Sequence, residues 1–223
     1  MQPLFAGTTA CVVLLRDKTL TVSNSGDSRA VLARVTTDPT VPWKSIDLSK
    51  DHNPDLPEEQ SRIEEEGGFV SPRPGKGLSA RVWLDAGHSQ IGLAMSRSIG
   101  DHILKDVGVI AEPEVTNHQL EADKDEFMIL ASDGVWEFIT SQEAVDIVGK
   151  DIHKGANFAC RSLIEAAADR WHQEEGDYRD DITALVIRLR ILCDSLDKNT
   201  TPCEQKLATT AMATTTGIPT SSI

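Results

Sequence analysis

Positive charge is scarce in this chain. Its 223 residues carry 35 aspartates and glutamates against 22 lysines and arginines, a net charge of −13 with histidine neutral. Nucleic acids and anionic membranes both require clustered positive charge, so neither is expected as a main partner. Long apolar runs are missing too. None approaches the ~20 residues that span a bilayer, and Met1-Gln2-Pro3-Leu4 lacks the basic start and apolar centre of a secretory leader. The four cysteines, Cys11, Cys160, Cys193 and Cys203, form no C-x-x-C pair and no zinc spacing. Two sit in segments that read as core, where a free thiol behaves as a small hydrophobe. A reducing, intracellular setting, cytoplasmic or nuclear, is expected. H-E-x-x-H is absent despite six histidines, and so is G-x-S-x-G. Pro74-Gly75-Lys76-Gly77 lacks the upstream glycine and the following hydroxyl of a phosphate loop, and reads as a flexible turn.

What is present fits a folded domain: 39% hydrophobic and 26% charged residues, in a chain long enough to bury roughly 70% of its unfolded surface. Thr9–Arg16 is β-branched and apolar, Asp17-Lys18 can turn, and Thr19–Ser23 and Arg29–Val35 continue the strand pattern. Asn24 to Ser28 forms a polar knuckle between them. A proline-bearing loop follows, then Pro57 opens a helix with Glu58 and Glu59 in its first turn, stopped by Gly67-Gly68. Residues 69–108 show no clean period and read as loop with short strands. Glu126–Ser132 is an apolar strand ending at Asp133-Gly134. Thr140 and Glu143 make a capping box, which predicts a helix to about Gly149. A second helix is predicted over Lys154–Glu174, with Ala156, Cys160, Leu163, Ala167 and Trp171 on one face. Ile182–Ile191 closes the pattern as a strand. Strands first, a loop-rich insert, then strands with two helices indicate an α+β fold with helices packed on antiparallel sheet. The folded unit is expected over residues 1–192. Residues 193–223, threonine-rich and without an aromatic, cannot offset their ordering entropy by burial and are expected to be disordered.

The acids carry the chemical interest. Asp27 follows Gly26 in the knuckle, Asp133 ends an apolar strand, and Asp180 precedes the last strand. Each has an ordinary reading: a joint between strands, a turn, and a solvated pair with Asp181. Acids at strand ends can also converge on one rim of a sheet. Converged carboxylates repel strongly unless they are protonated or share a cation, and oxygen donors suit a hard divalent ion such as Mg²⁺ or Mn²⁺. The 47 residues between Asp133 and Asp180 do not decide between these readings.

A succession of short blocks goes further. Gly7-Thr8-Thr9-Ala10 and Asn24-Ser25-Gly26-Asp27-Ser28-Arg29-Ala30-Val31-Leu32 come first. Asp51-His52-Asn53-Pro54 follows, with Glu59, Arg62-Ile63 and Gly67-Gly68. Then come Leu93 to Asp101 (L-A-M-S-R-S-I-G-D), Glu112-Pro113-Glu114-Val115, Leu130-Ala131-Ser132-Asp133-Gly134-Val135-Trp136-Glu137 and Asp180-Asp181-Ile182-Thr183. Each is weak alone. Together, in this order over about residues 6–190, they resemble the metal-dependent protein serine/threonine phosphatases of type 2C. The resemblance implies an antiparallel β-sandwich flanked by helices, with a dinuclear metal site at one end. It implies Mg²⁺ or Mn²⁺ as cofactor, two core ions and a weaker third. Asp133 and Asp180 then correspond to core-metal ligands, Asp27 to an acid tied to the third ion, and Glu137 to a position where the family often has an aspartate near that ion. A substrate-flanking flap falls at about residues 69–111. The implied substrates are proteins phosphorylated on serine or threonine, attacked by a metal-activated water, and the implied state is a monomer.

The same resemblance exposes a departure. The family's phosphate-gripping arginine, its Glu-Asp pair and its D-G-H-G block, with the metal-bridging aspartate and an acid histidine, have no counterpart here. The nearest match, Asp85-Ala86-Gly87-His88, has the wrong place and spacing. Missing sandwich strands, open sheet edges, weak metal binding by too few oxygens and little activity are the expectations for the chain as written. A partial sequence explains this best, and an inactive phosphoprotein-binding pseudophosphatase is the alternative.

Overall fold

The structure is a computed structural model describing residues 4–73, 79–121, 123–189 and 209–212. In chain order the elements are β1 (Gly7–Thr8), β2 (Ala10–Arg16), β3 (Thr19–Ser25), β4 (Arg29–Val35), β5 (Trp43–Asp47), α1 (Pro57–Glu65), β6 (Phe69–Ser71), β7 (Arg81–Trp83), β8 (Ile99–Gly100), β9 (Glu114–Gln119), β10 (Asp125–Ala131), α2 (Asp133–Trp136), α3 (Ser141–Asp151), α4 (Ala156–Glu175), β11 (Ala184–Arg188) and β12 (Thr209–Met212). Two 3-10 turns lie at His102–Val107 and Ile152–Lys154. Two four-stranded antiparallel sheets dominate, ordered β11-β10-β4-β5 and β12-β2-β3-β9.

Strand alternation explains the layers. Ala30 and Leu32 of β4, with Met128 and Leu130 of β10, meet Cys11, Val13, Leu20 and Val22 of the facing sheet. The alternate residues Val31, Ala33, Phe127, Ile129 and Ala131 pack under Val145, Val148, Leu163 and Ala167 of α3 and α4. The central strands are thus covered on both faces, which is why β10 reads as an unbroken apolar run. A smaller lobe joins Ile63 of α1 to Val82, Leu104 and Val109, beneath the hairpin of β6 and β7.

The α+β sandwich expected from the sequence is therefore present. The turn at Asp17-Lys18 has both residues at positive φ, 49° and 65°, and the capping box at Thr140 and Glu143 is complete in both directions. Several details differ. The proline-bearing loop contains β5, whose residues are half-buried or exposed and carry little apolar signal. Strand β9 alternates half-buried polar residues with exposed ones, its single apolar residue Val115 among the exposed, so no apolar period marks it. Asn24 and Ser25 belong to β3 rather than to a knuckle. The buried face of α4 runs through Ala159, Leu163, Ala167 and Trp171, while Ala156 and Cys160 pack at its margin. The final strand is shorter than expected, Ala184–Arg188. Of the tail expected to be disordered, only Thr209–Met212 is described, and it pairs antiparallel with Cys11–Leu14 at the outer edge of β2. The turn at 74–77, Ile191, Cys193 and Cys203 lie outside the described residues. Among the described residues no helix is long and apolar enough to cross a membrane, and Cys11 and Cys160 are free thiols.

Candidate metal centre

Sheet register brings the three aspartates together. Arg29 at the start of β4 pairs with Ala131 at the end of β10, and Ala131 pairs with Ala184 at the start of β11. Asp27 lies two residues before that row, Asp133 two residues after it, and Asp180 four residues before it. All three therefore emerge at the same end of three neighbouring strands.

Local chemistry holds each one there. Asp27 follows Gly26, whose φ of +115° favours glycine, and a Cβ at Gly26 would sit 2.4 Å from Thr9 Cγ2. The Gly26 amide donates to His52 Nδ1 at 3.1 Å, and the hydroxyls of Thr9 and Ser28 meet at 2.8 Å. Asp133 is the first residue of α2, so the expected turn at Asp133-Gly134 is a helix start. Gly134 lets the segment bearing Asp180 come close, since a Cβ there would meet the Asp181 carbonyl oxygen at 2.4 Å. Ser132 joins the two loops: its Oγ donates to the Asp181 carbonyl at 3.1 Å and accepts the Thr183 amide at 3.1 Å. Above them, Trp136 Nε1 donates to the Ala131 carbonyl at 2.8 Å and Trp171 Nε1 to the Gly134 carbonyl at 2.7 Å.

The electrostatics confirm that these acids share one region. Burial raises the Asp27 pKa well above the usual carboxylate value, and the charges of Asp133, Asp51 and Glu137 push it further. Burial, then Asp180, lifts Asp133 to about 6. Glu137 is raised by burial, opposed by the charge of Arg73 and a hydrogen bond with Ser79, with Asp180 adding repulsion. Asp133 and Glu137 act on Asp27, and Asp180 acts on Asp133 and Glu137, so the four are linked through the middle two.

Two residues outside the expected set act on these acids electrostatically. Asp51 faces Asp27 and Asp133 electrostatically, and is held by Arg29 through Nε and Nη2 at 2.9 and 2.6 Å. Arg29 itself stacks over Trp136, 5.0 Å from the ring centroid. Arg73, paired with Asp55, is the other. Asp51 stands in one of the recognised blocks, so its sequence signal existed. Arg73 stands in the aperiodic flap and had none.

The donor set is chemically suited to a hard divalent cation: it is oxygen-only, and Asp27, Asp133 and Glu137 are reluctant to ionise without a counter-charge. Its side chains do not enclose one. Among the described residues, no group of three or more His, Cys, Asp or Glu side chains is arranged to hold a metal ion.

This fold belongs to a recognised class. The chain overlays a crystal structure of a serine-threonine phosphatase 2C from Toxoplasma gondii with a TM-score of 0.70 and 27% identity, over 82% of this chain and 58% of the other. It is 41% identical over 186 residues to probable protein phosphatase 2C 12 of Oryza sativa subsp. japonica, covering 83% of this chain and 46% of that protein. Against probable protein phosphatase 2C 72 of Arabidopsis thaliana the identity is 38%, over 83% of this chain and 55% of the relative. The family model described as protein phosphatase 2C matches residues 1–175. The chain belongs to the protein phosphatase 2C family, and it spans about a third to just over half the length of the curated relatives it matches.

Proposed function

We propose that this chain carries part of a phosphatase site that removes phosphate from phosphoserine and phosphothreonine in intracellular proteins, using water activated by Mg²⁺ or Mn²⁺. Asp133 and Asp180 would hold the core ions, with Asp27 and Glu137 beside a weaker one. The bound ion would lower the pKa of its water and offset phosphoryl charge. The chain's own residues supply the charge that attracts the ion and fix the loops that carry it. One observation supports this reading: three neighbouring strand ends in register carry three aspartates at the same end of the sheet, where burial, with Asp133 beside Asp27 and Asp180 beside Asp133, disfavours the ionisation of Asp27 and Asp133.

Titration calorimetry with Mn²⁺ tests it. Weak, saturable binding is expected, lowered at least tenfold by Asp133→Asn or Asp180→Asn, and any release of phosphate from a phosphothreonine peptide should stop with chelator. Equal Mn²⁺ affinity in both variants overturns the assignment. A second reading, a phosphoprotein-binding module without turnover, is favoured by the lack of a three-donor metal pocket among the described residues. It predicts that the peptide binds and releases no phosphate.

A further inference from the structure

Strand β5 is the last strand of its sheet, in the order β11-β10-β4-β5, so its outer side is an edge. In an antiparallel ladder alternate residues turn their backbone groups toward the neighbouring strand. The Leu48 amide donates to the Ala30 carbonyl at 2.8 Å, and the Thr36 amide donates to the Pro42 carbonyl at 3.0 Å. With β5 paired to β4 from Val31↔Asp47 to Val35↔Trp43, Lys44 and Ile46 therefore face β4. Trp43, Ser45 and Asp47 turn their backbone groups outward. An outward row of this kind is a template for another strand.

One side chain has taken the middle of that row. Gln142 lies in the first turn of α3. The Ser45 amide donates to its Oε1 at 2.9 Å, and its Nε2 donates to the Trp43 carbonyl at 3.0 Å. Nε2 also donates to Asp146 Oδ1 at 2.9 Å, one helical turn on. With acceptors at the nitrogen end of the carboxamide and a donor at the oxygen end, only one orientation satisfies all three bonds. The groups on either side of Lys44 are thus held by an amide, as one rung of an added strand would hold them. The start of α3 does not need Gln142 for this, because Thr140 and Glu143 already cap it. Farther along α3, Gly149 lets the Trp43 ring lie against the helix, since a Cβ there would sit 2.5 Å from Trp43 Cε3.

We propose that Gln142 is an edge guard: its carboxamide occupies the strand-addition site on β5, and the partner this site fits is the β5 edge of a second copy of the chain. Antiparallel pairing about a two-fold axis at Ser45 puts Ser45 opposite Ser45, Trp43 opposite Asp47 and Lys44 opposite Ile46. No like charges meet, and each copy offers the other the same outward row, the self-complementarity that a two-fold interface requires. None of these residues belongs to the acid cluster.

Sedimentation of the full 223-residue chain, with hydrogen exchange at the Ser45 amide, tests the guard. Gln142→Ala should self-associate about tenfold more tightly than the wild type or more. Its Ser45 amide should exchange fast in dilute solution and slowly in concentrated solution. Adding Ser45→Pro removes the N–H that an added strand must bond, at a position where an edge strand tolerates proline, and should return association to the wild-type level. Asp146→Ala leaves the carboxamide in place without its anchor, and should fall between wild type and Gln142→Ala. Should Gln142→Ala unfold, Gln142→Met keeps a side chain of similar length, loses both bonds to β5 and should associate in the same way. Association equal to wild type in the folded Gln142 variant overturns the proposal. So does tighter association that survives Ser45→Pro, because the contact then lies on another surface.

Discussion

Two clusters of buried acid in this molecule have opposite characters. Glu59 is 1% exposed, and its carboxylate accepts from Arg62 Nη2 at 2.7 Å, Arg97 Nη2 at 2.6 Å and Ser96 Oγ at 2.5 Å. Burial alone would raise its pKa, but these hydrogen bonds outweigh burial and hold it well below the usual range. Asp27 is 8% exposed and finds mainly other carboxylates as electrostatic neighbours, so burial and repulsion add and its pKa rises. The first cluster is neutralised by the chain itself and ties α1 to the flap. The second leaves its charge for something from outside to neutralise. A buried acid that the protein has not paired is the better guide to a site than a buried acid as such.

The strongest way to break this contrast is to remove one acid from each cluster. Glu59→Ala leaves two largely buried guanidinium groups facing each other without a counter-charge, and should cost about 3–5 kcal/mol in urea unfolding. Asp133→Asn should do the reverse without metal at pH 7. It removes a carboxyl that burial, and after it the charge of Asp180, raises to about 6, so the chain should gain up to about 3 kcal/mol while losing Mn²⁺ affinity. Destabilisation by both substitutions would show that the rim acids are structural. Gly134→Ala comes next in size. Its Cβ must displace the Asp181 carbonyl, for about 2–3 kcal/mol, and it should weaken Mn²⁺ binding by separating Asp133 from Asp180.

Acidity sharpens the same contrast, because the two clusters respond with opposite signs. Asp133 is raised in the folded state, so between about 3.8 and 6 the native chain binds more protons than the unfolded chain. Stability from this group therefore falls as pH rises through that window. Glu59 is lowered, so its contribution is present above its ordinary value of 4.5 and is lost as pH falls. Metal-free stability from these two groups should peak between about pH 3.8 and 4.5 and fall from there to about pH 6, followed by thermal unfolding across pH. Saturating Mn²⁺ should raise stability at pH 7 and flatten the decline between about pH 4.5 and 6. A decline that persists unchanged with Mn²⁺ would separate the raised acids from metal binding.

How much of this was legible in the sequence depends on how each element is stabilised. Strands β2, β4 and β10 face two packed layers, or one tightly, and their apolar composition announces them. Helix α3 carries its own start signal in Thr140 and Glu143. Strands β5 and β9 are defined by pairing with β4 and β3, a long-range property that leaves little trace in Trp43–Asp47 or Glu114–Gln119. Asp27, Asp133, Asp180 and Glu137 stand out through block order, and register explains why the three aspartates emerge at one end of the sheet. Arg73 was invisible because its meaning depends on Asp55 and Glu137, 18 residues upstream and 64 downstream, within a flap that shows no period.

The smallest expected effects come from two serines, both fully buried, and they make the finest comparison. Ser96→Ala removes one hydrogen bond to Glu59 and another to the His52 carbonyl. Ser132→Ala removes the two bonds that join the Asp133 loop to Asp181 and Thr183. Each should cost about 1–2 kcal/mol, because each leaves a buried partner less well satisfied, so stability alone will not tell them apart. Mn²⁺ affinity should. Ser132 fixes how Asp133 stands toward Asp180, so its loss should weaken Mn²⁺ several-fold, whereas Ser96 supports an acid whose charge is already neutralised, so its loss should leave Mn²⁺ binding unchanged. Equal Mn²⁺ affinities in the two variants would mean that the stitch at Ser132 serves the fold and not the rim.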